Sequence, residues 1–102
     1  MCIEMKHKNK NILEYKKELV KVFSKIHGDQ KLMAEFLVDI LTPNEFEALA
    51  LRWQIVKRLD KGEDHRSIAG GLGLGVSTVA RGSRELRNKK GGFRLMLNKT
   101  DK

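Results

Sequence analysis

The stretch that decides the fold is residues 64–88, DHRSIAGGLGLGVSTVARGSRELRN. Asp64 is suited to cap a short helix over residues 65–72, because its carboxylate can accept hydrogen bonds from backbone N–H groups. Gly73 falls where a tight turn needs a positive φ, and a second helix starts near Val76. Two helices joined by a glycine turn are typical of a helix-turn-helix unit. The alternative is an ordinary pair of helices in a core.

The two helices of this unit divide into inner and outer positions. The apolar positions expected to point inward are Ile68, Leu72, Val76 and Val79. The outward positions of the second helix are short or basic, which suits a close approach to base edges and phosphates. These outward positions are Ser77, Thr78, Ala80, Arg81 and Arg84.

Three helical patterns precede this unit. Apolar residues spaced three and four apart predict helices over residues 11–26, 32–41 and 43–61. Gly28 and Gly62 are placed to end the first and third helices. Thr42 and Glu45 form a capping-box pattern at the start of the third helix. Because no alternating strand pattern occurs, we expect an all-α protein with about six helices.

The 102 residues are sufficient for a single domain with four parts. We expect a flexible arm over 1–9, dimerisation helices over 10–62, the helix-turn-helix over 64–88 and a C-terminal helix over 92–98. The apolar residues of 12–26, 32–41 and 93–97 exceed what the helix-turn-helix can cover. This excess predicts a homodimer.

Positive charge is concentrated near the second helix of the motif. The chain has 21 Lys and Arg against 13 Asp and Glu, giving a net charge of +8. Between residues 81 and 94, six basic residues oppose only Glu85. Such a balance favours a polyanionic partner, either nucleic acid or an anionic membrane surface, over a merely solubilising surface.

Several classes of protein are not expected from this sequence. Cys2 is the only cysteine, and His7, His27 and His65 lack metal-ligand spacing, so we expect neither a disulfide nor a metal site. No apolar run approaches the length of a membrane span, which predicts a cytoplasmic protein without membrane contact. No nucleophile–base pair or carboxylate dyad suggests an enzyme, and no cofactor is expected.

Gly82 lies in the middle of a predicted helix, where alanine would be more stable by about 1 kcal/mol. A glycine at such a position indicates that something needs the space above the backbone. The two interpretations are close packing of another helix and the binding of a flat ligand.

Two segments together resemble the tryptophan repressor family. They are Leu41–Leu49, with the pattern L-T-P-x-E-x-x-A-L, and Thr78–Ser83, TVARGS, and the resemblance extends over residues 37–90. It implies an intertwined, all-helical homodimer that represses transcription. Such a dimer binds a palindromic operator in double-stranded DNA when L-tryptophan is bound as corepressor.

The resemblance also implies a set of ligand-binding residues. Thr42 and Arg81 match positions that bind the carboxylate of the corepressor, and Arg52 matches the guanidinium that lies flat on the indole. Gly82 matches the glycine that leaves room for the ring, and the resemblance implies that backbone carbonyls near Leu41 accept from the ammonium. Glu85 stands where some members have serine near the ammonium. It is expected either to pair with the ammonium or to pair with Lys89 along the helix.

DNA contacts follow from the same resemblance. The implied residues are Arg66, Val76, Ser77, Thr78, Ala80, Arg84, Arg87 and Lys89. Arg66 falls on a guanine-reading arginine only if a one-residue gap lies in the loop over residues 62–65. The alternatives are a related regulator with another corepressor or none, and a small basic RNA-associated protein.

Overall fold

The computed structural model describes residues 10–100 as six α-helices, without a strand in this part of the chain. The helices are α1 Ile12–Ser24, α2 Gln30–Ile40, α3 Pro43–Asp60, α4 His65–Leu72, α5 Val76–Leu86 and α6 Gly92–Thr100. The predicted all-α fold is confirmed, whereas the predicted arm over 1–9 lies outside the described residues. Within residues 10–100, no helix combines the length and apolar content needed to cross a membrane.

The first helix ends earlier than the sequence predicts. It ends at Ser24 instead of Ile26, and Lys25 caps it in the right-handed region. The prediction that Gly28 caps this helix is therefore wrong. Gly28 has a φ of +72° and lies in the turn before Asp29, whose side chain accepts from the Leu32 N–H at 3.0 Å and caps α2.

The described part of the chain divides into two compact units, the first ending at Phe46 and the second beginning at Glu47. In the first unit, Phe23 and Phe36 pack edge to face, with ring centroids 5.2 Å apart. No side chain of α1 or α2 is fully buried. Leu13, Val20 and Val38 are 59%, 64% and 63% exposed, which leaves a large apolar surface on these helices.

The start of α3 forms the predicted capping box. The Thr42 N–H donates to Glu45 Oε1 at 2.8 Å, and the Glu45 N–H donates to the Thr42 hydroxyl at 3.2 Å. These reciprocal bonds satisfy two backbone donors that have no partner within the helix. Hydrogen bonds from Thr42, above all from its backbone, hold the pKa of the Glu45 carboxyl below its usual range.

The second unit has two apolar clusters, and α3 contributes to both. The first joins α3, α4 and α5 through Ile55, Ile68, Ala69 and Val79. The second joins α3, α5 and α6 through Val56, Leu86 and Leu97. Because Ile55 and Val56 are adjacent in sequence, α3 fixes the helix-turn-helix on one side and α6 on the other.

The turn between α4 and α5 follows the sequence prediction. Gly73 caps α4 with a φ of +69°, and the Leu74 N–H donates to the Ala69 carbonyl at 2.8 Å. The predicted inward position of Val76 is wrong, because this side chain is 48% exposed. Val76 is the first residue of α5 and lies beyond the cluster, whereas Val79 is fully buried one turn later.

The C-terminal helix α6 packs on α3, and it extends to Thr100 instead of ending at residue 98. Leu97 is buried, while Leu95 and Met96 are 58% and 49% exposed. The Arg94 guanidinium donates to the Asp60 carboxylate at 2.8 Å, which attaches α6 to the end of α3.

The cap of α4 provides a pH-dependent contribution to stability. The Asp64 carboxylate accepts from the Ser67 N–H at 2.7 Å, and this bond lowers the pKa of the Asp64 carboxyl. A carboxyl whose pKa is lowered by folding stabilises the folded state above its ordinary pKa. That contribution disappears as the pH falls through the lowered value.

We therefore expect the wild type to lose more stability than Asp64→Asn between about pH 6 and pH 2. Asparagine caps a helix about as well as aspartate does but does not titrate in this range, and all other carboxyls are shared by the two proteins. Thermal unfolding midpoints followed by circular dichroism across this range measure the difference. An equal loss in both proteins would contradict the role of the Asp64 charge.

Candidate ligand cavity and DNA-binding face

A cavity of about 650 Å³ lies within the second unit, between α3, α5 and the start of α6. Its volume falls within the range of about 300–1,000 Å³ that is common for sites of small ligands. The residues that line it are Arg52, Ile55, Val56, Ser77, Thr78, Arg81, Gly82, Arg84, Glu85 and Phe93.

Four of the six residues predicted to bind ligand line this cavity. They are Arg52 on α3 and Arg81, Gly82 and Glu85 on α5. The other two, Leu41 and Thr42, belong to the first unit, where Leu41 caps α2 and Thr42 caps α3. Ligand binding by these two residues stays a prediction.

The charged side chains of the cavity are free of ion pairs. Within residues 10–100, the ion pairs are those of Lys17 with Glu14 and of Arg94 with Asp60. The three arginines of the cavity and Glu85 therefore keep their charges available to a ligand. The alternative interpretation of Glu85, an ion pair with Lys89, is not realised in this part of the chain.

Gly82 allows α5 to approach α3 closely. A Cβ atom at this position would lie 2.9 Å from Ile55 Cγ2, closer than side chains normally pack. Ile55 is 2% exposed and branched at Cβ, so its methyl has little freedom to move. The interpretation of Gly82 as a helix-packing residue is thus confirmed, and the same glycine also lines the cavity.

Three apolar side chains of the cavity were not identified from the sequence as site residues. Ile55 and Val56 have no assigned role in the sequence analysis, and Phe93 is counted there only among the apolar residues that predict a homodimer. The spacing of Phe93 from Leu97 could have indicated that the two side chains point to the same neighbour, since residues four apart share one face of a helix. Leu97 is buried against α3, which places Phe93 beside Val56 at the cavity wall.

The predicted DNA-contacting residues are mostly exposed and include part of the cavity wall. Ser77, Thr78 and Arg84 are exposed and also line the cavity. Ala80 is half-buried and is the least accessible of the predicted set. The other predicted residues are exposed and do not line the cavity: Arg66, Val76, Arg87 and Lys89.

Known proteins resemble the chain over most of its length. A family model described as Trp repressor protein matches residues 15–101. The Trp operon repressor homolog of Vibrio vulnificus (strain YJ016) is 42% identical over 71 residues, covering 69% of this chain and 70% of the relative. The Trp operon repressor homolog of Aliivibrio fischeri (strain MJ11) is 45% identical over 53 residues, covering 51% and 49% of the two chains. No solved structure matches the chain.

The family match includes both segments that carry the resemblance in the sequence, the capping box of α3 and the TVARGS segment of α5. It also includes α1 from Tyr15 onward and α6, which the resemblance over residues 37–90 did not reach. With the family model matching well over half of its residues and a relative 42% identical, this chain is a member of the Trp repressor family.

Proposed function

We propose that this protein is a sequence-specific transcriptional repressor that binds a palindromic operator as a homodimer when L-tryptophan occupies the cavity. One observation carries the proposal. The same cavity is lined by predicted ligand residues, such as Arg81 and Gly82, and by predicted DNA residues, such as Thr78 and Arg84. A ligand in this cavity would act directly on the helix that meets DNA.

The chemistry of the cavity suits an aromatic amino acid. Arg81 offers a guanidinium for the carboxylate, and Arg52 offers a planar cation for the face of an indole ring. Ile55, Val56 and Phe93 supply the apolar surface that an aromatic ring needs. Ligand binding by Leu41 and Thr42 is expected from the family resemblance alone.

The exposed face of α5 suits double-stranded DNA. Ser77 and Thr78 lie in its first turn, where short polar side chains allow backbone N–H groups and hydroxyls to approach the groove. Arg87 and Lys89 follow at its C-terminal end and are exposed. Their charges are placed to neutralise phosphates, which sets affinity and salt dependence without reading bases.

Substitutions at Thr78 on α5 and at Arg87, the C-cap of α5, should separate phosphate contacts from base reading. Arg87→Ala should weaken binding to all DNA sequences alike and reduce the slope of log affinity against log salt by about one. Thr78→Ala should instead reduce the preference for operator over random DNA. Fluorescence anisotropy with both DNAs at several salt concentrations measures these effects. Lys99→Ala, which removes the same charge from α6, is the control.

The roles assigned to these residues fail if Arg87→Ala changes specificity and leaves the salt slope intact. They also fail if Lys99→Ala flattens the slope as much as Arg87→Ala does, because the effect would then be one of net charge alone.

The exposed apolar surface of α1 and α2 supports a homodimer. Surfaces of this extent on small proteins mark contacts with a partner. A second copy would cover Leu13, Val20 and Val38 with the same surface from its own helices, which is how two-fold interfaces form. Sedimentation equilibrium should give the dimer mass at micromolar concentration. A stable monomer there would contradict this part of the proposal.

Membership of the Trp repressor family confirms the expectation that the chain is a regulator and not an enzyme. As a repressor of transcription it would act on DNA in the cytoplasm of a bacterial cell.

A further inference from the structure

The helix α6 contributes a single side chain to the cavity wall, the ring of Phe93. Every other described residue that lines the cavity belongs to α3 or α5. Phe93 is half-buried and packs on the cluster of Val56, Leu86 and Leu97. The position of α6 therefore determines whether an aromatic ring closes this side of the cavity.

The position of α6 depends on its contacts with the rest of the second unit. The helix has nine residues, too few to be stable alone. Leu97 is its only buried side chain. Arg94, which follows Phe93 in sequence, donates to the Asp60 carboxylate at 2.8 Å. This is the only ion pair within residues 10–100 that joins two helices, since the other lies within α1.

Both partners of this ion pair stand at the helix end that disfavours their charge. Asp60 is the last residue of α3, at the negative end of the helix dipole, and Arg94 lies in the first turn of α6, at the positive end. Neither charge therefore stabilises its own helix. The two side chains are 25% and 31% exposed, so solvent screens their attraction less than that of a fully exposed pair. The ion pair thus favours the docked position of α6, in which this helix packs on α3.

We propose that the Asp60–Arg94 ion pair positions Phe93 in the cavity wall and thereby increases the affinity of the cavity for an aromatic ligand. Neither charged residue lines the cavity, so both are positioning residues that act through the ring of Phe93. The inference rests on the proposed function, which supplies L-tryptophan as the ligand. A ligand that contacts Phe93 binds the docked arrangement more tightly, and its affinity falls with the fraction of the protein in which α6 is docked.

Reversing the two charges separates this role from a merely structural one. Asp60→Arg and Arg94→Asp each place two like charges close together, whereas the double variant restores the attraction with the partners exchanged. The double variant also keeps the net charge of the wild type and places each charge at the helix end that favours it. Lys99→Asp is the matched control, because Lys99 is exposed on the same helix, takes part in no ion pair of the described residues and does not line the cavity.

The docking of α6 and the affinity for ligand are measured separately. Trp53 is the only tryptophan of the chain and packs on the same cluster as Phe93, so its fluorescence in the ligand-free protein reports the docking of α6. Isothermal titration calorimetry gives the affinity for L-tryptophan.

We expect each single variant to shift the emission of Trp53 to longer wavelength. Each should also bind L-tryptophan about two- to fivefold more weakly, the range that corresponds to the coupling energy of a partly exposed ion pair. The double variant should restore both values, and Lys99→Asp should change neither.

Four outcomes overturn the inference. Single variants that bind L-tryptophan as tightly as the wild type reject a role of the ion pair in the cavity, even if the emission of Trp53 shifts, and leave the proposed function intact. A double variant that binds as weakly as the single variants shows that the two residues act separately. An equal loss in Lys99→Asp attributes the effect to charge alone. Absence of L-tryptophan binding to the wild type rejects the corepressor itself, and with it this inference.

Discussion

Replacing Gly82 with leucine is expected to destabilise the second unit strongly, and even alanine should destabilise it. The Cβ of alanine would lie 2.9 Å from Ile55 Cγ2, and overpacking of this kind costs about 1–3 kcal/mol. Alanine regains about 1 kcal/mol in helix propensity, so we expect a net loss of about 1 kcal/mol. Leucine should cost about 3 kcal/mol or more, a large fraction of the stability of a small domain.

Gly70 provides the matched control for this prediction. It lies inside α4, and a Cβ atom there would meet nothing within 4 Å. Gly70→Ala should therefore stabilise the protein by about 0.5–1 kcal/mol through the unfolded state and helix propensity. Urea denaturation of both variants measures the contrast. A Gly82→Ala protein as stable as Gly70→Ala would show that the Ile55 methyl moves aside without cost.

A double-mutant cycle assigns the effect to the pair of residues. Ile55→Ala alone should cost about 2–5 kcal/mol, because it leaves a void in a fully packed cluster. Combined with Gly82→Ala, it removes the methyl that the new Cβ would meet. The double variant should thus be more stable than the sum of the single losses predicts. Additivity would exclude a direct contact as the cause.

The close approach at Gly82 shows what the sequence could and could not establish. A glycine in the middle of a helix indicates that space is needed, but it does not identify the occupant. The two interpretations, a neighbouring helix and a flat ligand, differ only in which atoms stand above the backbone. That depends on the tertiary placement of Ile55, 27 positions earlier in the chain.

Local hydrogen bonding, by contrast, was predictable wherever the partners are close in sequence. The capping box of Thr42 and Glu45 and the positive φ of Gly73 follow from residue type and spacing, and both are confirmed. Val76 was misassigned because periodicity identifies a face of a helix but not how far the neighbouring cluster extends. The sequence does not identify Phe93 as a site residue, because its contact with α3 depends on how α6 packs on α3 in the folded protein.

The contact of Gly82 with Ile55 also limits how ligand binding can be tested. A larger residue at 82 would disturb the core as well as the cavity, so lost function would not identify the ligand site. Arg52 is a better position. Its side chain is exposed, lines the cavity and takes part in no ion pair of the described residues, so its loss should leave the fold intact.

L-tryptophan is expected to raise the affinity for operator DNA, and Arg52→Gln should abolish most of that response. Couplings between two ligands are typically about 1–3 kcal/mol, which corresponds to about 5–150-fold in affinity. The effect requires that L-tryptophan bind more tightly to the arrangement of α5 that fits DNA. Lys61→Gln is the control, since Lys61 is exposed and does not line this cavity.

The linkage of the two sites makes the prediction testable from both sides. If L-tryptophan tightens operator binding by some factor, operator DNA must tighten L-tryptophan binding by the same factor. Anisotropy titrations of DNA with and without L-tryptophan give the first factor, and calorimetry with and without operator gives the second. Unequal factors would indicate that protein association or a second binding event contributes.

Equal operator affinity in the presence and absence of L-tryptophan would reject tryptophan corepression and favour a regulator with another corepressor or none. Equal affinity for operator DNA and for an unrelated folded RNA would instead favour the RNA-associated alternative, because a basic face alone does not discriminate between polyanions.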